Sequence, residues 1–138
     1  MSRNSSYFKG ERFNALAKKE GFRSRAAYKL IQIQKDFKLI KSGDNILDLG
    51  SAPGGWSQVA SNILSGSGSI IAIDLLPMKK ITNVDFHQLD LNDIDKINLR
   101  EISIVLSDIA PNISGVNIIY DVNMIELLEI EIIIVDKF

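Results

Sequence analysis

The sequence predicts a single α/β domain built on a doubly wound parallel sheet. Three observations carry that expectation. Four short apolar runs recur along the chain: "NILDLG" (45–50), "SIIAID" (69–74), "VDFHQLD" (84–90) and "ISIVLSDIA" (102–110). Polar or helix-like segments separate them, as crossovers between buried parallel strands require. Three of the runs end in an aspartate at or near the carboxyl edge: Asp74, Asp90 and Asp108. A turn of small residues, "GSAPGG" (50–55), follows the first run directly and leads into a helix-like stretch. In such sheets ligands bind beyond the carboxyl ends of the strands. The turn and the three acids are therefore expected on one rim.

The elements follow in order. Residues 1–15 read as loosely ordered. From Ser24, "SRAAYKLIQIQKDFKLI" reads as a helix, with Ser24 able to cap it and Ala27, Tyr28, Ile31 and the stem of Lys35 at helical spacing. "KSGD" (41–44) is a turn. A strand over Ile46–Leu49 precedes the small-residue turn, and a helix is expected to start near Trp56. The last segment, "NMIELLEIEIIIVDKF" (123–138), is ambiguous. Its first half suits a helix, while "EIEIIIV" is rich in β-branched residues and briefly alternates. A helix is the preferred reading, which leaves the fourth run at or near an edge of the sheet.

Composition narrows the function classes. The chain has 138 residues, of which 46% are hydrophobic, enough for one compact core. It has no cysteine, which excludes disulfides and thiolate metal sites and fits a reducing compartment such as the cytoplasm. A lone histidine, His87, argues against a protein-only zinc site, so no metal is expected. No apolar stretch is as long as a membrane span, and the first residues lack the apolar middle of a signal peptide. Their basic, Ser-containing composition leaves an organelle address open, against which Glu11 and Glu20 count. The net charge of −1 conceals an asymmetry: residues 1–41 hold 11 Lys/Arg and 3 Asp/Glu, a balance of +8, and residues 42–138 hold 5 and 14, a balance of −9. A basic segment beside an acidic body fits a polyanionic partner or a solvated basic helix.

The turn admits several ligands. Gly50, Gly54 and Gly55 allow close approach of a ligand to the backbone, and a helix N-terminus favours negative charge. The order from Gly50 is G-S-A-P-G-G, without the G-x-G-x-x-G of a dinucleotide site, which argues against a nicotinamide-dependent oxidoreductase. Pro53 stiffens the turn, so a nucleoside or amino-acid group passing over it fits better than a pyrophosphate. Asp74 lies 24 residues after Gly50, where nucleotide sites place an acid for the ribose hydroxyls; alone, such an Asp is more often a turn former or helix cap, but beside the glycine turn ribose binding is the preferred reading. Asp90 is a candidate acceptor for an adenine amino group. Trp56 is either a cofactor neighbour or filler between helix and sheet. In "SDIAPN" (107–112), Asp108 stands to orient a methyl donor, a hydroxyl or a lysine, and Pro111 and Asn112 bend the chain away.

Taken together, "RSRAAYKLIQIQ" (23–34), "DLGSAPGGWSQ" (48–58), "AIDLLPM" (72–78), "VDFHQLDLND" (84–93) and "LSDIAPNISG" (106–115) resemble the FtsJ/RrmJ family. These are S-adenosylmethionine-dependent 2′-O-ribose methyltransferases of ribosomal RNA, and the likeness is strongest to the type that modifies a uridine of large-subunit RNA. The resemblance runs in order over residues 22–116. It implies a Rossmann-like methyltransferase fold over 23–138 behind a basic arm, 1–22. It implies S-adenosyl-L-methionine as cofactor, contacted by Gly54 and Trp56, with Asp74 at its ribose, Asp90 on the adenine side and Asp108 by the methionine part. It also implies ribosomal RNA or the large ribosomal subunit as partner. The family's active site is a Lys-Asp-Lys-Glu tetrad, whose first lysine matches Lys29 and whose aspartate matches Asp108. By position alone Lys29 would be a phosphate contact or a solvated helix lysine.

The chemistry such a site must perform is clear. A ribose hydroxyl is a weak nucleophile and a weak acid, so it must be held in line with the methyl group while its proton leaves. A lysine made less basic by a cationic neighbour or by burial can take that proton. The family's second lysine lies on the next strand, after a helix and a Gly-containing turn, and its glutamate further on; neither is matched here, and the chain is expected to be the first two-thirds of a family member. Lys137 is not taken as that lysine, because "VDKF" is read as the end of the preceding helix. Two expectations follow: a methyltransferase of this family, or an inactive, shortened homologue that binds cofactor, RNA or both.

Overall fold

A computed structural model describes the backbone of residues 2–99, 101–107 and 131–134, with side chains for 11–99 and 101–107. The elements in order are α1 (Ser2–Glu20), α2 (Ala26–Phe37), β1 (Asn45–Leu49), α3 (Gly55–Leu64), β2 (Ser69–Asp74), β3 (Val84–Gln88), a 3-10 helix (Leu91–Lys96), β4 (Ile104–Ser107) and β5 (Glu131–Ile134). The strands form one sheet in the order β3-β2-β1-β4-β5. Every described pairing is parallel. The four expected strands are present, each within the run that predicted it.

Sheet order places the site. The chain moves outward from β1 through β2 to β3, then crosses back to β4 on the other side of β1. The carboxyl ends of β1 and β4 therefore flank a switch point, where successive connections leave in opposite directions and open a crevice. Register matches Leu49, the last residue of β1, to Ser107 of β4 and to Ile73 of β2.

Both faces of the sheet are packed, which explains the nearly continuous apolar runs. On one face Ile46, Ile70, Ile104 and Leu106 meet Ala27 and Leu30 of α2 and Trp56, Val59, Ala60 and Leu64 of α3. On the other, Leu47, Leu49, Ile73 and Val105 meet Ile94 and Ile102. Successive residues of β1 alternate between the two clusters, as the period of a strand demands.

Three expectations need correction. The first stretch is helical rather than loose, with α1 running to Glu20. Its later half is rich in Ala, Leu, Lys, Arg and Glu, all good helix formers. Its end is fixed by a Schellman-type closure: Phe22 N–H donates to Ala17 O at 2.8 Å, and Gly21 N–H to Lys18 O at 3.3 Å, with Gly21 at φ 83°. Tertiary contact completes it, since Ala17 is buried and the Phe13 ring lies 5.6 Å from that of Tyr28.

The helix from Ser24 also differs in detail. The N-cap is Arg25 rather than Ser24, and Ser24, one residue earlier, accepts the Ala26 N–H through Oγ at 2.9 Å. The buried face, however, is Ala27 and Leu30, and Ile31 is exposed. The helix stops at Phe37, where Lys38 turns left-handed (φ 49°). The Gln34 amide then holds both N–H and C=O of Ile40, at 2.8 Å each. That exit delivers Ile40 into the core.

The third correction concerns the end of the chain. Residues 131–134 are a strand parallel to β4, not a helix; β4 is thus paired on both sides and stands next to the outermost described strand, near an edge as expected. A paired β4 satisfies the hydrogen-bonding groups that an edge would expose. The half read as a helix and Lys137 lie outside the described residues; the ground for passing over Lys137, that it ends a helix, falls with the strand before it.

Candidate active site at the carboxyl edge of the sheet

The turn after β1 is built from hydrogen bonds to the neighbouring strand. Gly50 N–H and Ser51 N–H both donate to Ile73 O, at 2.8 and 3.1 Å. Ala52 N–H donates to Asp74 Oδ2 at 2.8 Å. Asp74 Oδ1 accepts the N–H of Leu76 at 2.9 Å. The Ala52–Pro53 peptide is cis. Gly54, at φ 117°, then caps α3, and its carbonyl accepts the Gln58 N–H at 2.9 Å. Only glycine adopts that backbone without strain.

The absence of bulk in the turn has a packing cause. A Cβ on Gly54 would lie 2.8 Å from Ile81 Cδ1, 3.1 Å from Arg23 Cδ and 3.2 Å from Met78 Sδ. A Cβ on Gly55 would lie 3.3 Å from Ser24 Cβ and 3.4 Å from Ala27 N. Both α-carbons thus face protein: Gly54 the β2–β3 loop, Gly55 the first turn of α2.

On its other side the turn bounds a small cavity of about 80 Å3, lined in part by Ser24, Asp48, Gly50, Ser51 and Trp56. Its chemistry is polar. Asp48 is buried and its Oδ2 accepts the Ser57 hydroxyl at 2.7 Å. Ser51 Oγ is buried and has no hydrogen-bond partner among the described residues. Buried hydroxyls in folded proteins are nearly always paired, so an unpaired one in a cavity wall marks a place for a ligand atom. A volume of this size admits one end of a cofactor. A larger groove of about 410 Å3 lies at the amino ends of β2 and β3, lined by Ser69, Ile70 and Val84. Its lining includes Lys80 and Asp85 but neither Asp74 nor Asp90.

The predicted residues divide as follows. Asp74 sits at the end of β2 beside the turn, and it is the turn former as well as the candidate ribose acceptor. Each of its oxygens holds one backbone N–H, and a carboxylate has about four acceptor positions in all. Asp90 caps the 3-10 helix through Oδ1, which accepts the Asn92 N–H at 2.9 Å. Trp56 is 3% exposed, and its Nε1–H donates to Ala26 O at 2.8 Å. Its ring is core and cavity wall together. Lys29 is half-buried on α2, three residues beyond Ala26 and so on the same side of the helix. Ser107 ends β4 beside Leu49; Asp108, which follows, lies outside the described residues.

Asp48, Ser51, Ser57 and Arg23 were not anticipated. Asp48 had a signal, a carboxylate inside the apolar run "ILDLG", and Ser57 lies nine residues on where a helix brings it back. Arg23 had none, because its partners are backbone carbonyls. Its Nη1 donates to Pro53 O at 3.1 Å and Lys79 O at 2.5 Å, and its Nη2 to Lys80 O at 2.8 Å. Among the described residues no group of three His, Cys, Asp or Glu could hold a metal ion, and no helix is long and apolar enough to cross a membrane.

A parallel sheet with a switch point beside β1, a small-residue turn there and an acid ending β2 define a Rossmann-like, nucleotide-type cofactor domain. The family description "FtsJ-like methyltransferase" matches residues 22–137, and the chain belongs to that family. It is similar to ribosomal RNA large subunit methyltransferase E of Coxiella burnetii, 45% identical over 125 positions that cover 83% of this chain and 59% of the relative. The enzyme of the same name from Acinetobacter baumannii is 47% identical over 106 positions, covering 72% and 49%. This chain thus spans about half to three-fifths of the length of these relatives. Among solved structures it resembles a protein assigned as a ribosomal RNA methyltransferase from Plasmodium falciparum, at TM-score 0.57 and 33% identity, over 72% of this chain and 59% of that one.

Proposed function

We propose that this domain binds S-adenosyl-L-methionine at the carboxyl edge of β1 and β2. It serves 2′-O-ribose methylation of large-subunit ribosomal RNA, at a uridine. The observation that carries the proposal is the unpaired, buried hydroxyl of Ser51 in a cavity whose wall also holds Asp48. The donor set fits this cofactor: hydroxyl and carboxylate inside the cavity suit an amino-acid end, and a carboxylate ending β2 suits ribose hydroxyls. When bound, the cofactor supplies an electrophilic methyl group on a sulfonium.

In this reading Ser51 and the turn hold the amino-acid end, Asp74 accepts from the ribose hydroxyls, and Asp90 takes the adenine side. Lys29, and Asp108 after β4, hold the substrate ribose hydroxyl in line with the methyl. The basic segment 1–41, and within it the arm 1–22, contacts RNA phosphates, supported by its balance of +8. The relatives' names support RNA as substrate class.

Calorimetry with S-adenosylhomocysteine and methyl transfer to unmodified large ribosomal subunits test the proposal. Binding in wild type, weakened in Asp74→Ala, and transfer abolished in Lys29→Ala and Asp108→Ala are expected. Equal transfer in the last two removes the catalytic assignment. Salt-sensitive RNA binding without any transfer favours the inactive, binding homologue instead.

A further inference from the structure

We propose that Arg23 is a positioning residue that clamps the β2–β3 loop against the turn after β1 and so fixes the shape of the cofactor site. The inference rests on the reading of that site given above, and deepens it. The β2–β3 loop is tied to the turn after β1 first at Asp74. Asp74 ties Ala52 to Leu76. Five residues further on, the loop passes over Gly54, where Met78 and Ile81 pack against its α-carbon.

Arg23 closes that far end. One nitrogen of its guanidinium bridges Pro53 O in the turn and Lys79 O in the loop, and the other holds Lys80 O. Its own N–H donates to Gln58 Oε1 of α3 at 2.8 Å. The residue therefore joins four segments: the turn, the loop, α3 and the entry to α2. Lys29 stands six residues further along α2, so the same clamp sets the approach of that helix to the site. Only a planar fork serves three carbonyls in this way; an ammonium is a single point donor on a flexible stem.

The test compares Arg23→Gln, Arg23→Lys and Arg25→Gln with wild type. Hydrogen exchange of the loop's bonded amides, Leu76 and Val84, is read without cofactor, and affinity for S-adenosylhomocysteine by calorimetry. Arg23→Gln is expected to raise exchange at these two amides and to weaken binding, each by on the order of tenfold, with the cooperative melting transition retained. Arg23→Lys is expected to recover neither, and Arg25→Gln, which removes the same charge two positions away, to lose neither. Full recovery by lysine, equal loss in Arg25→Gln, or unchanged exchange in Arg23→Gln overturns the clamp. If Arg23→Gln fails to fold, Arg23→Lys decides: wild-type exchange and affinity overturn the proposal, faster exchange supports it. Failure of the wild type to bind S-adenosylhomocysteine overturns the reading of the site, while the exchange result still decides the clamp.

Discussion

Replacing Trp56 by phenylalanine separates the two roles its position allows. The indole is buried between α2, α3 and the sheet, and its N–H donates to Ala26 O at 2.8 Å. Phenylalanine keeps an aromatic ring but removes the donor and about three ring atoms. The lost hydrogen bond is worth about 1 kcal/mol. Lost apolar burial adds roughly 2 kcal/mol, at about 0.8 kcal/mol per methylene-sized group. A destabilisation of about 2–4 kcal/mol is expected, a large share of the stability of a domain this small. Urea unfolding followed by far-UV circular dichroism measures it, since Trp56 is the sole tryptophan and the variant has no indole fluorescence. A loss below about 0.5 kcal/mol with an unchanged urea slope would refute the assignment of Trp56 as the tie between α2 and α3. The cofactor role would then stand alone.

Other residues give sharper signs. Ser51→Ala deletes a hydroxyl that has no partner; stability without cofactor should hold or rise by up to about 1 kcal/mol, while S-adenosylhomocysteine affinity falls. Ser57→Ala removes the donor that Asp48 accepts at 2.7 Å and should cost about 1–3 kcal/mol in urea unfolding. Gly55→Ala pushes a methyl to 3.3 Å from Ser24 Cβ; an overpacking cost of about 1–3 kcal/mol should appear in thermal melts. Desolvation, aided by the hydrogen bond to Glu20, raises the Tyr28 hydroxyl from 10.0 to about 12. A raised folded value favours the neutral phenol, so its contribution is complete below pH 10 and is lost as pH rises towards 12. The stability difference between wild type and Tyr28→Phe should shrink across that window.

The strands were legible because parallel strands packed on both faces must be apolar nearly throughout, and β1 and β2 are. The helix α1 was not, because what holds it, Ala17 in the core and the Phe13–Tyr28 contact, is tertiary. "EIEIIIV" supports either period over so few residues. Its strand state is decided by the free edge of β4, which no local pattern reports. In the site, the position of Asp74 was readable from its place at the end of a run, and the resemblance marked Lys29. The partners of Asp74 were not readable, since both are backbone N–H groups. Arg23 was hidden for the same reason: carbonyls carry no side-chain signature.

The turn "GSAPGG" divides its labour between two surfaces. Two of its glycines face protein, where Ile81, Met78 and Arg23 crowd Gly54 and Ser24 crowds Gly55. Its serine serves the cavity side, where Ser51 Oγ waits without a partner and Asp48 lies behind it. A turn that only passed a strand into a helix would need neither the crowding nor the open hydroxyl. One that only held a ligand would need no glycine whose α-carbon faces a side chain. Both demands fall on the same six residues, and the two faces constrain each other. Whatever moves the loop away from Gly54 also moves Ala52, through Asp74, at the edge of the cavity. The shape of the candidate site therefore depends on the loop as well as on the glycine motif.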